Sequence, residues 1–397
     1  MYKILIFCVP FLLFKLVAAD DCVIDILKNY KKDKPEDPLV LTTKYEFIYP
    51  TNTTIKLNEA IYIGCPLGTL QHKKVNIAEG FFTCKGNTTF VSKSSPPTSI
   101  DFNMITCPNM TKAPDYLIPL KINDVASKSK DCLKCASCKE KNIGYELPDK
   151  TFINIITVCF DTTRNIPLFS KHKLSKDLTG KGLDRPSFQD TSSTYKDYDL
   201  KKLYSSAQEQ IDLKGSFNIT SKIYLNRGHL TPFGDFVYRF QKYATMDFLN
   251  IAPQWTTFNA VAWENLETKI RNMTKSSDFD VYTGTLESLN SLTDGNSDHK
   301  ITIPNWFWKF VPQLKTVYLG LNNVFINSTE AEKQAKSLCT KMIQPNNSVN
   351  ISADQPNNGF TFPCTVPNVR HRQLRALMKT ILSTSSKSIK SKYMPIL

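Results

Sequence analysis

The chain has 397 residues, room for two domains of ordinary size, and 41% of them are apolar, enough for real cores. Its 50 Lys and Arg outweigh 36 Asp and Glu, for a formal charge of +14. That excess suits nucleic acid, heparin-like glycans or an anionic surface. No stretch approaches the ~20 apolar residues of a membrane-spanning helix, which excludes a helical membrane protein.

Met1 to Ala19 reads as a secretory signal peptide. Lys3 gives a positive start, Ile4 to Phe14 is a short apolar run, and Val17-Ala18-Ala19 is a small-residue cleavage site. Its removal takes away Lys3 and Lys15, so the mature charge is 14 − 2 = +12. It also removes Cys8 and leaves ten cysteines: Cys22, Cys65, Cys84, Cys107, Cys132, Cys135, Cys138, Cys159, Cys339 and Cys364. An even count in a secreted, extracellular chain predicts disulfides. Eight Asn-x-Ser/Thr glycosylation sequons agree: Asn52, Asn87, Asn109, Asn218, Asn272, Asn327, Asn346 and Asn350.

Residues 20–145 read as a β-rich, disulfide-stapled module. Tyr45 to Tyr49, Ile61 to Ile63 and Phe81 to Thr83 have strand composition. Ser92 to Ser99, with Pro96-Pro97, reads as an exposed loop. Cys132, Cys135 and Cys138 invite a zinc or redox reading. No second pair at zinc-site spacing follows, so structural disulfides are expected.

A second domain is expected over 146–382. Phe152 to Phe160 is an apolar, β-branched run that predicts a buried strand. Lys171 to Lys214 is Lys-rich and polar, and reads as a long surface loop with short helices. After it, Ile223-Tyr224-Leu225 predicts a strand that ends in a turn at Asn226-Arg227-Gly228-His229. Thr256 or Thr257 then caps a helix containing Ala260, Ala262, Leu266 and Ile270. On that helix Asn259, Trp263, Glu267 and Arg271 stand four apart, on one side.

Downstream, Ile301 to Phe310 is an aromatic-rich strand whose Trp306 and Trp308 read as core. Glu330 to Met342 has helix character. An Asn-rich loop from Pro345 to Gly359 then lets Cys339 and Cys364 meet as a disulfide pair. Leu374, Leu377, Met378, Ile381 and Leu382 follow an amphipathic helical spacing that predicts docking on the core, with a membrane-surface helix as the alternative. Residues 383–397 form a basic, mobile tail. His72, His172, His299 and His371 have no motif partner and read as ordinary.

The 221–271 stretch carries chemistry suited to phosphodiester hydrolysis. Such a reaction needs a base for water, a cation, and donors for the developing charge. His229 can be the base, and Asn259 offers a hard oxygen to Mg²⁺. Glu267 can hold metal-bound water and Arg271 can hold phosphate oxygens.

Taken in order, Asn226-Arg227-Gly228-His229, Asn250…Pro253-Gln254, Asn259, Trp263, Leu266-Glu267 and Arg271 resemble the DNA/RNA non-specific endonucleases of the ββα-metal class. That group includes secreted salivary and gut nucleases of arthropods. Val281-Tyr282-Thr283-Gly284 and Ile303-Pro304…Trp308-Lys309 also fit. The resemblance implies an α+β fold with a central antiparallel sheet and a ββα-metal element. It implies His229 as general base, Asn259 as direct Mg²⁺ ligand, Glu267 as a contact through water, and Arg271, Arg227 and Arg185 as phosphate contacts. Mn²⁺ is expected to substitute for Mg²⁺. The implied activity is cleavage of DNA and RNA through the phosphate backbone with little sequence preference, giving 5′-phosphates. Asn226 stands where the family pattern has Asp. The alternative is a non-catalytic secreted binder of polyanions (nucleic acid, heparin-like glycan or anionic phospholipid) on the same fold.

Overall fold

The computed structural model describes residues 20–25, 38–49, 53–66, 68–108, 120–125, 132, 135–176, 185–274, 277–342 and 358–392, with side chains described through 384. The signal peptide lies outside this set, as do Asn52, Asn109, Asn346 and Asn350. Asn87, Asn218, Asn272 and Asn327 are exposed. The chain divides into two compact units, Met1–Pro108 and Asn109–Leu397. The division falls earlier than the expected boundary at 145/146, because the strands just before that point belong to the second unit's sheet.

The first unit is all β: β1 (Cys22–Ile24), β2 (Leu39–Leu41), β3 (Thr53–Ile55), β4 (Ala60–Gly64), β5 (Gln71–His72), β6 (Val75–Asn76), β7 (Gly80–Gly86), β8 (Thr89–Ser92), β9 (Ser99–Asp101) and β10 (Ile105–Thr106). Its main sheet runs β2-β4-β7-β8-β9, with smaller sheets β1-β3 and β10-β5-β6. Val40, Ile61, Ile63, Phe82, Phe90 and Ile100 are buried, and Cys22–Cys84 and Cys65–Cys107 close it. The expected strand at Tyr45 to Tyr49 is a turn with one bridge, Leu41 to Phe47. Thr42 accepts the backbone N–H groups of Tyr45 and Glu46 there, and Tyr45 adopts φ +59.

The second unit holds β11 (Lys121–Asp124), β12 (Cys138–Glu146), β13 (Phe152–Asp161), β14 (Ile166–Leu174), β15 (Leu225–His229), β16 (Ile251–Trp255), β17 (Phe279–Thr293), β18 (Lys300–Val311), β19 (Thr316–Leu321) and β20 (Phe360–Thr365). Eight of these form one antiparallel sheet in the order β11-β12-β13-β14-β17-β18-β19-β20, while β15 and β16 pair separately. Cys132–Cys159, Cys135–Cys138 and Cys339–Cys364 are disulfides, so the sulfurs of the Cys132 to Cys138 segment are engaged with one another and with β13.

Alternation along the strands separates two faces. One carries Phe169, Tyr282, Trp306, Trp308 and Phe310 into an apolar core with Leu319, Phe362 and the helix Arg372–Lys392, through Leu374, Met378 and Ile381. That helix runs on through residues expected to be a mobile tail, and Ser383 and Thr384 bond back to Thr380 within it. The other face carries Ser170, His172, Thr283, Phe307 and Lys309. Part of the expected Lys171 to Lys214 loop is therefore the end of β14, where His172 is buried. Two short helices, Leu200–Leu203 and Ser206–Asp212, do occur in the rest.

The β15–β16 pair is fastened by buried amides. Asn250 donates to the carbonyls of Thr231 and Thr245 and accepts from the Thr231 N–H. Asn322 accepts from the Trp255 N–H and donates to the carbonyls of Pro253 and Pro304. These bonds tie the hairpin to the large sheet and satisfy backbone groups that burial would otherwise leave unpaired.

Candidate active site

The motif expected to be a turn is a strand. Residues 225–229 lie extended against β16, with Arg227 opposite Pro253 and His229 opposite Ile251. Gly228 is fixed by close approach, since a Cβ there would run into the Gln254 side chain and stand 2.9 Å from the Ala252 carbonyl oxygen. Gln254 is fully buried as a result and packs the hairpin from within.

The helix that follows opens irregularly. Residues 258–263 are π-helical, with the Glu264 N–H bonded to the Asn259 carbonyl five residues back, and Glu264–Met273 is α-helical. Neither Thr256 nor Thr257 caps it by a side chain: Thr256 instead donates to the Tyr224 carbonyl. π-Turns recur at functional sites because they re-aim side chains. The regular four-residue ladder from Asn259 is thus broken at Trp263, which is buried against Phe258 and Phe307 over Gly320. Its packing role agrees with the sequence. Glu267 and Arg271 keep the spacing, with carboxylate and guanidinium 3.8 Å apart.

The His229 ring lies against Phe188, centroids 5.4 Å apart and planes tilted by 45°. Its Nε2 is buried and has no hydrogen-bond partner among the described residues. Burial, and secondarily the positive Arg185, pull its pKa down to about 3, so the imidazole is neutral at physiological pH. Arg185 is itself exposed, its guanidinium over the Phe233 ring at 5.1 Å. Arg227 lies over the rings of Phe188 and Tyr204, at 5.6 and 5.0 Å. Phe188 is therefore a common floor for Arg227 and His229, which share one face of β15.

Beneath Arg271 runs a buried chain of groups that the sequence reading missed. Asp235 binds Arg271 at 2.8 Å through Oδ1 and His172 Nε2 at 2.9 Å through Oδ2. His172 Nδ1 meets the Thr231 hydroxyl, which meets Ser170. Burial and the positive Lys309 hold His172 below its ordinary pKa, against the pull of Asp235. Its Nε2–H then donates to the carboxylate and Nδ1 accepts from Thr231. Burial raises the Asp235 carboxyl, but the bond to His172 and the charges of Arg271 and Lys309 outweigh it, and its pKa is lowered. Glu267 is pushed up to about 7 by burial, with Asp235 adding to the effect and Lys309 and Arg271 opposing it.

Lys309 is 1% exposed. Its ammonium donates to Thr283 Oγ1 and to the Leu230 carbonyl beside His229, and lies 5.4 Å over the Trp263 ring. One signal was available for it, a lone Lys inside the aromatic run of β18. His172 sat in a Lys-rich segment, and nothing in that pattern marked it as buried.

The geometry thus brings His229, Arg185 and Arg227 together around Phe188 and Phe233, and Glu267 and Arg271 together above Asp235. The model for the DNA/RNA non-specific endonuclease family matches residues 138–369, more than half of the chain. The chain belongs to that family. The ββα element of this endonuclease-family chain is β15, β16 and the helix that follows them.

Similar proteins include a "Salivary endonuclease" of Lutzomyia longipalpis, 31% identical over 48% of this chain and 51% of that protein. "Salivary protein Tsal1" of Glossina morsitans morsitans is 24% identical over 57% of this chain and 61% of its own length. A "Salivary endonuclease" of Culex quinquefasciatus is 35% identical over 23% and 26%. The matches thus span between a quarter and about three-fifths of these relatives. Among solved structures, a crystal structure of an EndoG/EndoGI complex matches at 20% identity, covering 44% of this chain and 74% of that one, with a TM-score of 0.32.

The family works with divalent cations, and the residues present fit one. Asn259 is half-exposed, and its side-chain amide has no hydrogen bond among the described residues. Glu267 is a nearly buried carboxylate whose near partner is Arg271 at 3.8 Å. An amide oxygen and a carboxylate are the hard donors that a small divalent ion takes, with water completing its shell. Among the described residues, no helix is long and apolar enough to cross a membrane.

Proposed function

We propose that this chain is a secreted, Mg²⁺-dependent endonuclease that hydrolyses DNA and RNA with little sequence preference and leaves 5′-phosphates. The observation that carries the reading is His229, a neutral imidazole with a free Nε2, set on the ββα element beside Arg185. A base must be unprotonated and unengaged at working pH to accept a proton from water. Secretion rests on the Met1 to Ala19 segment, the five disulfides and the salivary relatives.

His229 Nε2 takes the proton of the attacking water as its oxygen bonds to phosphorus. The bond from phosphorus to the 3′ oxygen breaks, and that oxygen collects a proton from solvent. Arg271, oriented by Asp235, the half-buried Arg227 and the exposed Arg185 meet phosphate oxygens and offset the charge that builds on them. Asn259 directly, and Glu267 through water, would hold the cation. When bound, it supplies Lewis-acid stabilisation of the phosphate and the departing oxygen. Backbone contact without a base-reading element accounts for low sequence preference.

The test is cleavage of plasmid DNA and of a structured RNA with Mg²⁺, with chelator, and after Mn²⁺ is added back, followed by end analysis of the products. Cleavage that stops in chelator, returns with either ion and leaves 5′-phosphates is expected. Persistence in chelator overturns the metal role. Tight binding of DNA and heparin without cleavage makes the chain a polyanion binder, the outcome that Asn226 would favour.

A further inference from the structure

We propose that the outer side of the helix Arg372–Lys392 is a second binding surface for the phosphate backbone of nucleic acid, separate from the site that cleaves it. The inference rests on the nuclease reading above, which makes that polymer the polyanion the protein meets.

The helix docks by one side. Leu374, Met378 and Ile381 are buried in the apolar core of the large sheet, with Leu377 and Leu382 packed against it. At ~100° per residue, Arg372, Arg375 and Lys379 fall within about 60° of one another, in a sector centred about 125° from those three. Arg372 and Lys379 are exposed, Arg375 is half-exposed, and Arg370 is exposed just before the helix. Further along, Lys390 returns to the same sector, with the Lys387 position beside it. The catalytic groups lie across the sheet. Lys309, which alternates with the core residue Trp308 on β18, reaches the Leu230 carbonyl beside His229 on that other face.

This row is not an ordinary solvated face. On the helix Ser328–Leu338, Lys333 and Lys336 lie 3.6 and 2.9 Å from Glu330 and Glu332. Residues 372–392 contain six Lys and Arg and no Asp or Glu. Among the described residues, no ion pair or side-chain hydrogen bond engages Arg370, Arg372, Arg375 or Lys379. Like charges three and four apart destabilise a helix. Cations are also worst placed in a first turn, at the positive end of the helix dipole, where Arg372 and Arg375 stand without an acid. A bound polyanion relieves both.

The helix has spent its apolar side on the core, so nothing remains to insert into a membrane. It carries no aromatic residue on which a base could stack. Contact is therefore with phosphates alone. A long nucleic acid held on this face keeps its other segments close to the catalytic face and raises their effective concentration there.

The experiment uses the full-length, inactive His229→Ala protein and a duplex of about 12 base pairs, a rigid rod against a persistence length of ~50 nm, which cannot touch both faces at once. Calorimetric titration at low salt should count two duplexes per protein. The weaker step should show a log–log salt slope of about −2.7 or steeper, three phosphates at 0.9 each. Arg372→Gln, Arg375→Gln and Lys379→Gln together should leave one duplex per protein, whereas Arg372→Lys with Arg375→Lys should keep two. In the cleaving enzyme, the triple Gln variant should lose roughly tenfold in kcat/KM on plasmid DNA, where tethering acts, and nothing on the short duplex.

One duplex per protein before substitution, or two after it, overturns the proposal. So does loss of binding to a heparin-like octasaccharide or to phosphatidylserine vesicles with the duplex count unchanged, which would make this a glycan or lipid surface. If the triple variant does not fold, Arg372→Gln alone decides, since it should make the slope of the weaker step shallower by about 0.9 and an unchanged slope overturns the proposal. Failure of the nuclease reading looks different: the unaltered protein would cleave neither DNA, while the duplex count still reports on this helix.

Discussion

The two faces of the eight-stranded sheet are built from the same strands and do opposite work. On β18, Trp306, Trp308 and Phe310 alternate with Phe307 and Lys309. The first three join an apolar core shared with Leu319, Phe362 and Met378. Lys309 points the other way, toward Thr283, Asp235 and Glu267. On β14, Phe169 lies on the apolar side, while Ser170 and His172 enter the polar chain beneath Arg271. A period of two lets one strand be core on one side and electrostatic support on the other. Dry aromatic packing on the far side holds the backbone that aims the charged side.

The largest expected effects break the comparison most directly. Trp308→Ala should cost ~3–5 kcal/mol of stability by leaving a large void, with kcat per folded molecule unchanged. Lys309→Met should cost a similar ~3–5 kcal/mol, because it strips one charge from a buried group and leaves Asp235 and Glu267 under-compensated. It should also lower kcat, since Glu267 loses the ammonium that favours its charged form. Urea melts paired with active-site-titrated kcat separate the two. Equal kcat losses for both variants would show that the faces are not functionally distinct.

The next effect lies in the chemistry itself. His229→Ala should fold normally and lose at least ~10² in activity, the low end for a general base. Cleavage assays beside circular dichroism check it, and near-normal cleavage would remove His229 from the mechanism. Asp235→Asn should be milder, about tenfold in KM, because Arg271 keeps Thr268 and Glu267 as neighbours but loses the bond that orients it. A kcat loss as large as that of His229→Ala would make Asp235 part of the chemistry instead of its support.

Local pattern made much of this legible. The strands at Phe152 to Phe160 and Ile301 to Phe310, the core tryptophans, the Cys339–Cys364 bridge and the docking of Leu374, Met378 and Ile381 all follow from period and composition. The motif residues were legible because they recur in order along the chain. What stayed hidden depends on pairing. Asn226 to His229 form a strand only because β16 lies beside them. The π-turn at Phe258–Trp263 answers to Trp263 filling the space over Gly320. His172 is surrounded by lysines in sequence and by Asp235, Thr231 and Phe236 in space. Glu209 meets its partner, the Leu225 N–H, only because the fold brings β15 to its helix.

The smallest expected effect sharpens the picture within the polar side. His229 titrates near 3 in the fold and near 6.5 when unfolded. Between those values the unfolded chain binds the extra proton, so this group's contribution to stability is complete above about 6.5 and is lost as pH falls toward 3. Asp247, fully buried beneath Thr191 and Leu249, has the opposite sign. Its pKa is raised from 3.8 to about 6, mainly by burial. The folded state holds the proton longer, so its contribution is complete below about 3.8 and is lost as pH rises through 6. His229→Ala should therefore gain on the unaltered protein as pH falls from 7 to 4, and Asp247→Asn should gain on it as pH rises over the same range. Shifts on the order of a few degrees in melting temperature are expected for a unit of this size. The measurement is thermal melting of the three proteins in chelator across that range. Parallel curves for His229→Ala and the unaltered protein would mean that the imidazole is solvated and protonates normally. The neutral base would then owe nothing to its seat on Phe188 beside Arg185.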